Sequence, residues 1–228
     1  MGIPVLILGE SGSGKTFAVK NMEPEKVGVF LVEKPRLPFK KEFPHICKNA
    51  GYNIILRTLA ESNMRQYVID DSQYLLVNEF FDRAGEVGYQ KFTDMALNFR
   101  NLIHFIIRKT PDDVIVYMLH HTDTDANGKV KAKTIGRMLD EKLTVEGLFD
   151  VVLKTEVNPE GHWFRTQSNG NDTVKTPEGL FNEPLIPNDL AVVDAAIRDY
   201  YGITDVARGE KKKTNVATVT DKVPEVGK

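Results

Sequence analysis

The chain has 228 residues, 41% of them hydrophobic and 27% charged, enough for one well-buried globular domain with at most a small appendage. Thirty basic residues against 32 acidic ones give a formal net charge of −2, which excludes a strongly basic nucleic-acid coat while leaving room for a local basic patch. Cys47 is the only cysteine, so an intrachain disulfide and a cysteine-built zinc site are excluded.

No apolar run approaches the ~20 residues of a membrane span, and the N-terminus lacks the basic flank and long apolar core of a signal peptide. The chain therefore reads as soluble and cytoplasmic. In chain order, Pro4 to Leu8 is a continuous apolar run closed by Gly9, as expected of a strand buried on both faces. A short helix is predicted from Lys15 to about Met22. Val27 to Val32 reads as a second buried strand ending at Glu33, before the helix-hostile Lys34-Pro35-Arg36-Leu37-Pro38. Ile54 to Arg57 is a short strand candidate. Tyr67 to Ile69 is a clearer one, closing on Asp70-Asp71-Ser72.

From about Tyr89 to Arg108, Phe92, Met95, Ala96, Phe99, Leu102, Ile103 and Ile106 recur at the spacing of one helix face. Val114 to Leu119 is again a strand, ending in His120-His121-Thr122. Strands alternating with helices predict an α/β fold with a mostly parallel sheet and crossover helices. Beyond it, Asp150 to Val157 and His162 to Ser168 flank the turn sequence Asn158-Pro159-Glu160-Gly161, and Thr173 to Lys175 follows another turn. These predict antiparallel hairpins at one sheet edge. Asn188 is the expected cap of a last helix carrying Leu190, Val193, Ile197 and Tyr200, with Gly202 as its stop. Residues 1–203 form the expected domain. The 204–228 tail, polar and carrying Lys211-Lys212-Lys213, reads as disordered.

Gly9-Glu10-Ser11-Gly12-Ser13-Gly14-Lys15-Thr16 fits the phosphate-loop pattern G-x-x-x-x-G-K-[ST] between a buried strand and a helix. Glycines let the backbone curl so that successive N–H groups face phosphate oxygens, and the following helix adds its positive end. Lys15 is expected to reach the β- and γ-phosphates of ATP, and the Thr16 hydroxyl to sit on Mg²⁺. Asp70 and Asp71, at the end of an apolar strand, are the expected metal-side and water-orienting carboxylates. The general pattern of an apolar strand ending in two aspartates favours Asp70 on the metal side, and the sequence leaves the division of roles open.

With these motifs, the chain resembles the RecA-type ATPases, and more closely the short phage-encoded ATP-binding proteins of the RecA-like superfamily, over Gly9 to Tyr200. The resemblance implies a P-loop NTPase fold. It implies that Glu33, at the end of the second strand, polarises the attacking water, and that Asp71 is the metal-side carboxylate. It implies a sensor role for His121, at the end of the strand Val114 to Leu119. It also implies a DNA-binding loop carrying Lys129, Lys131, Lys133 and Arg137, and a role for Lys175 as a finger reaching the ATP of a neighbouring subunit. Some relatives of this kind act in single-strand annealing recombination with a single-stranded-DNA-binding protein. A Mg²⁺-dependent ATPase acting with single-stranded DNA is thus the expected function, with ATP at the interface of a homo-oligomer. A nucleotide-dependent switch with little turnover is the alternative. A small-molecule kinase is disfavoured, because no arginine cluster lies between Asp71 and Asp123.

Overall fold

The computed structural model describes residues 1–34, 36–135 and 144–204. Arg137 and residues 205–228 of the expected disordered tail lie outside the described residues. In chain order the elements are β1 (Ile3–Gly9), a 3₁₀ helix (Thr16–Asn21), β2 (Val27–Leu31), β3 (Ile46–Lys48), α1 (Tyr52–Glu61), β4 (Gln66–Asp70), α2 (Tyr74–Asp82) and α3 (Gln90–Lys109). There follow β5 (Ile115–Thr124), β6 (Val130–Ala132), a second 3₁₀ helix (Val145–Leu148), β7 (Val151–Asn158), β8 (Gly161–Arg165), β9 (Leu185–Pro187) and α4 (Leu190–Tyr200).

The strands form one sheet in the order β3-β2-β4-β5-β1-β7-β8-β9, with β6 attached to β5 beside that path. From β3 to β7 every pairing is parallel, and β8 and β9 extend the edge antiparallel. The protein is therefore α/β with a mostly parallel mixed sheet. Among the described residues no helix is long and apolar enough to cross a membrane.

The unbroken apolar run of β1 follows from its central place. Leu6 and Leu8 pack into one core layer with Phe99, Leu102, Ile103 and Ile106 of α3. Val5 and Ile7 pack into the opposite layer with Val19, Val193 and Ile197. Burying each such side chain contributes about 1.5–3 kcal/mol, so both faces of the strand must be apolar.

Four local expectations change. Ile54 to Arg57 belongs to α1: Ile55 and Leu59, four residues apart, are buried while Ile54 is exposed, a helical pattern that a four-residue window cannot separate from a strand. The segment after Lys15 is a six-residue 3₁₀ helix, Thr16–Asn21, with Pro24 three residues beyond its end, and so short an element carries little helix dipole. Thr173 to Lys175 makes only a bridge to Val152 rather than a strand. The cap of α4 is Asp189, whose Oδ1 accepts from the Ala191 N–H at 2.9 Å, which releases the side chain of Asn188 for another contact.

Parallel strands bring their carboxyl ends to one edge, where ligands of open α/β sheets bind. Here β5 lies between β1 and β4, with Gly9 in register with His121 and Leu31 with Asp70. The 9–16 loop, the paired aspartates and the paired histidines consequently share that edge.

Candidate functional site

Gly12 and Gly14 take φ of +80° and +97°, values that side-chain-bearing residues rarely adopt. The loop between β1 and the first 3₁₀ helix curls around the Lys15 side chain, which is only 5% exposed. Its Nζ donates to the carbonyls of Gly9 and Glu10, both at 2.8 Å. Burial pushes the Lys15 amine down to about 8, and the opposing fields of Asp71 and Asp70 only partly restore it. The cation is therefore desolvated and hydrogen-bonded only to neutral carbonyls, an arrangement that favours an anionic ligand.

Asp70 ends β4 with its side chain buried, and its Oδ1 accepts from Thr16 Oγ1 at 2.9 Å. Burial, and then the neighbouring Asp71, raise its carboxyl to about 6 against the Thr16 hydrogen bond. Asp71 is equally buried and has a φ of +58°; Asn and Asp are the non-glycine residues that tolerate this region best. Burial would raise its carboxyl, but the His121 hydrogen bond and then the Lys34 charge outweigh that and hold it below its usual range. His121 Nε2–H reaches Asp71 Oδ1 at 3.2 Å, while Lys34 Nζ lies 3.6 Å from Asp71 Oδ2. The two carboxylates thus divide: Asp70 joins the loop through Thr16, and Asp71 joins the histidine and Lys34.

His120 is fully buried, and burial pushes its imidazole down to about 4, so it is neutral. A carbonyl can only accept, so Nε2–H donates to Lys133 O at 2.8 Å and Nδ1 accepts from the Ser72 hydroxyl at 2.9 Å. The end of β4 is thereby tied to the β5–β6 hairpin, whose Lys133 N–H also donates to His121 O at 2.9 Å. Lys129 and Lys133 are exposed and Lys131 half-buried on this hairpin. A cavity of about 270 Å³, lined by Gly9, Ser13, Thr122, Val130, Lys154 and Thr155, separates it from the 9–16 loop.

The C-terminal strands grip the loop from outside. Thr155 of β7 donates to Ser13 Oγ at 2.7 Å. His162 of β8 donates from Nδ1 to Ser13 O at 3.2 Å, and Asn188 Nδ2 donates to Gly14 O at 3.3 Å. The Asp189 cap also accepts from Asn21 Nδ2 at 2.7 Å. A Cβ on Gly9 would stand 1.9 Å from Thr155 Oγ1, and one on Gly14 2.5 Å from Asn188 Nδ2. Those glycines serve close approach as well as curvature. Thr155→Ala is expected to cost about 1–2 kcal/mol of stability and to speed amide exchange in residues 10–16 of the ligand-free protein. Unaltered exchange there would show that the loop holds its shape without this tie.

Lys15, Thr16, Asp70, Asp71 and His121 lie together at the carboxyl edge of the sheet. Glu33 turns aside: its Oε2 takes Asn78 Nδ2 at 3.4 Å and it lines a cavity of about 870 Å³ with Asn49, Tyr52, Glu79 and Asn98. Lys175 is exposed and bridged to Val152 of β7, apart from the loop's own cluster. Lys34, His120, Thr155, His162 and Asn188 carried no motif. Thr155 meets Ser13 across 142 residues of chain, a separation that leaves no local pattern to read.

Compared with known proteins, the chain matches no family model and no curated protein.

Proposed function

We propose that the protein is a P-loop NTPase that binds ATP with Mg²⁺ at the 9–16 loop and hydrolyses it in association with single-stranded DNA. The observation that carries this reading is the desolvated Lys15 ammonium inside a glycine curl, facing Asp70 and Asp71. Backbone N–H groups of the loop bind the phosphates, and Lys15 leaves its carbonyl partners for the β- and γ-phosphate oxygens. Thr16 and Asp70 are suited to hold the ion: hydroxyl and carboxylate oxygens match a hard cation, and Asp70 is already bonded to Thr16. Magnesium, when bound, would neutralise charge on the phosphates. Asp71, oriented by His121, accepts a hydrogen bond from the attacking water, a task that Glu33 has by family resemblance.

The Asp71–Ser72–His120–Lys133 connection supports coupling between hydrolysis and the basic hairpin. In this reading the hairpin lysines contact the DNA backbone, and Lys175 serves the nucleotide of a neighbouring copy. Replacing Lys129, Lys131 and Lys133 together by Gln is expected to weaken single-stranded DNA binding and to flatten its dependence on salt, by about 0.7 in log–log slope for each phosphate no longer neutralised. Titrating a labelled oligonucleotide at several salt concentrations measures that slope. An unchanged slope would remove the hairpin from DNA binding.

A further inference from the structure

Two lysines, not one, face the paired aspartates. Lys15 approaches from the loop and is buried; Lys34 approaches from the end of β2 with 60% of its side chain exposed, its Nζ 3.6 Å from Asp71 Oδ2. Asp71 Oδ2 is itself buried and has no hydrogen-bond partner among the described residues. Lys34 thus supplies charge to Asp71 from beyond hydrogen-bond distance. Only Asp71 of this pair is buried, and the Lys34 ammonium, at 3.6 Å and with 60% of its side chain exposed, is not fixed to it by a hydrogen bond. Glu33, next to it, turns to Asn78, so Lys34 is the β2-end residue directed at the aspartates.

We propose that Lys34 is a terminal-phosphate-binding residue, a second cation that Asp71 holds at the rim of the site and that transfers to the γ-phosphate of a bound nucleoside triphosphate. This rests on the nucleotide-site reading above. A triphosphate threaded through the 9–16 loop directs its terminal end past Lys15 toward Asp70 and Asp71. Each of these lies within the field of both lysines, since Lys15 and Lys34 both lower their pKa values. A third phosphate brought against two buried carboxylates adds like charge where little solvent screens it. A long, exposed ammonium at the rim can move to meet that charge without desolvating a new group. A diphosphate ends short of the rim and gains nothing from it. Lys34 therefore discriminates triphosphate from diphosphate.

The test is calorimetric titration of the full chain, with Mg²⁺ present, using a non-hydrolysable ATP analogue and ADP. Lys34→Gln is expected to weaken the triphosphate analogue about tenfold, the scale of one partly screened charge-assisted hydrogen bond, and ADP by less than about twofold. Lys34→Arg, which keeps the charge, is expected to recover most of the loss. Equal loss for both nucleotides, or loss for neither, overturns this assignment and leaves the nucleotide site standing. Failure of the unsubstituted protein to bind either nucleotide overturns the site reading and this assignment with it.

Discussion

Lys15→Ala is expected to weaken Mg·ATP binding at least about a hundredfold and to abolish measurable turnover. The ammonium is the one buried cation of the loop, with carbonyl partners at 2.8 Å. Charge-assisted hydrogen bonds contribute about 1.5–3 kcal/mol each, and removing two of them to phosphate oxygens accounts for two or more powers of ten. The substitution also removes a donor from the Gly9 and Glu10 carbonyls, so the ligand-free melting temperature is expected to fall slightly. That shift is separable from the binding loss. The same residue is expected to set the alkaline limit of binding. With its amine pushed down to about 8, Lys15 loses its charge as pH rises through that value, and affinity for phosphates is expected to fall. At the acid end, Asp70, raised to about 6, takes up a proton as pH falls through that value and ceases to favour a divalent ion. Mg²⁺-dependent affinity should therefore be greatest between about 6 and 8. A profile flat across both limits in titrations of the unsubstituted protein would contradict these roles.

Asp71→Asn is expected to lower the rate of hydrolysis about a hundredfold, the lower end of what a positioned general base contributes, with ATP affinity changed less than about threefold. Asn suits the test because it accepts the left-handed backbone that Asp71 adopts at φ +58°, so the fold at the end of β4 is kept. Glu33→Gln is the companion variant. Its carboxylate is bonded to Asn78 rather than directed at the aspartates, and its turnover is expected to fall less than that of Asp71→Asn. Single-turnover hydrolysis by the two variants decides between them, and a larger loss in Glu33→Gln would move water activation to Glu33.

The loop and the aspartate pair were legible because each is local: a strand, a turn chemistry and a charge at its end lie within a few residues. Central strands were legible for the same reason, since β1, β4 and β5 are buried on both faces and carry unbroken apolar runs. Short edge elements such as β3, β6 and β9, three residues each, have too little sequence to show a period. Helix α2 was missed because Tyr74 to Asp82 directly follows the aspartate turn and only Leu75 and Leu76 are fully buried. What sequence could not provide was direction. Nothing in Val32-Glu33-Lys34 tells which side chain turns toward β4, and nothing near Thr155 or Asn188 announces a contact with a loop at the other end of the chain. The paired histidines were legible as a pair, whereas their division, His121 to Asp71 and His120 to Ser72 and the hairpin, follows from the alternation of side chains along β5.

The proposed nucleotide site is tested most directly by steady-state ATP hydrolysis by the purified protein with Mg²⁺, with and without single-stranded DNA, using Lys15→Ala as the blank. Turnover is expected to depend on Mg²⁺, to be stimulated by DNA and to be absent from the blank. Equal turnover by the protein and the Lys15→Ala variant would contradict the proposed site, because the nucleotide would then be handled somewhere other than the 9–16 loop.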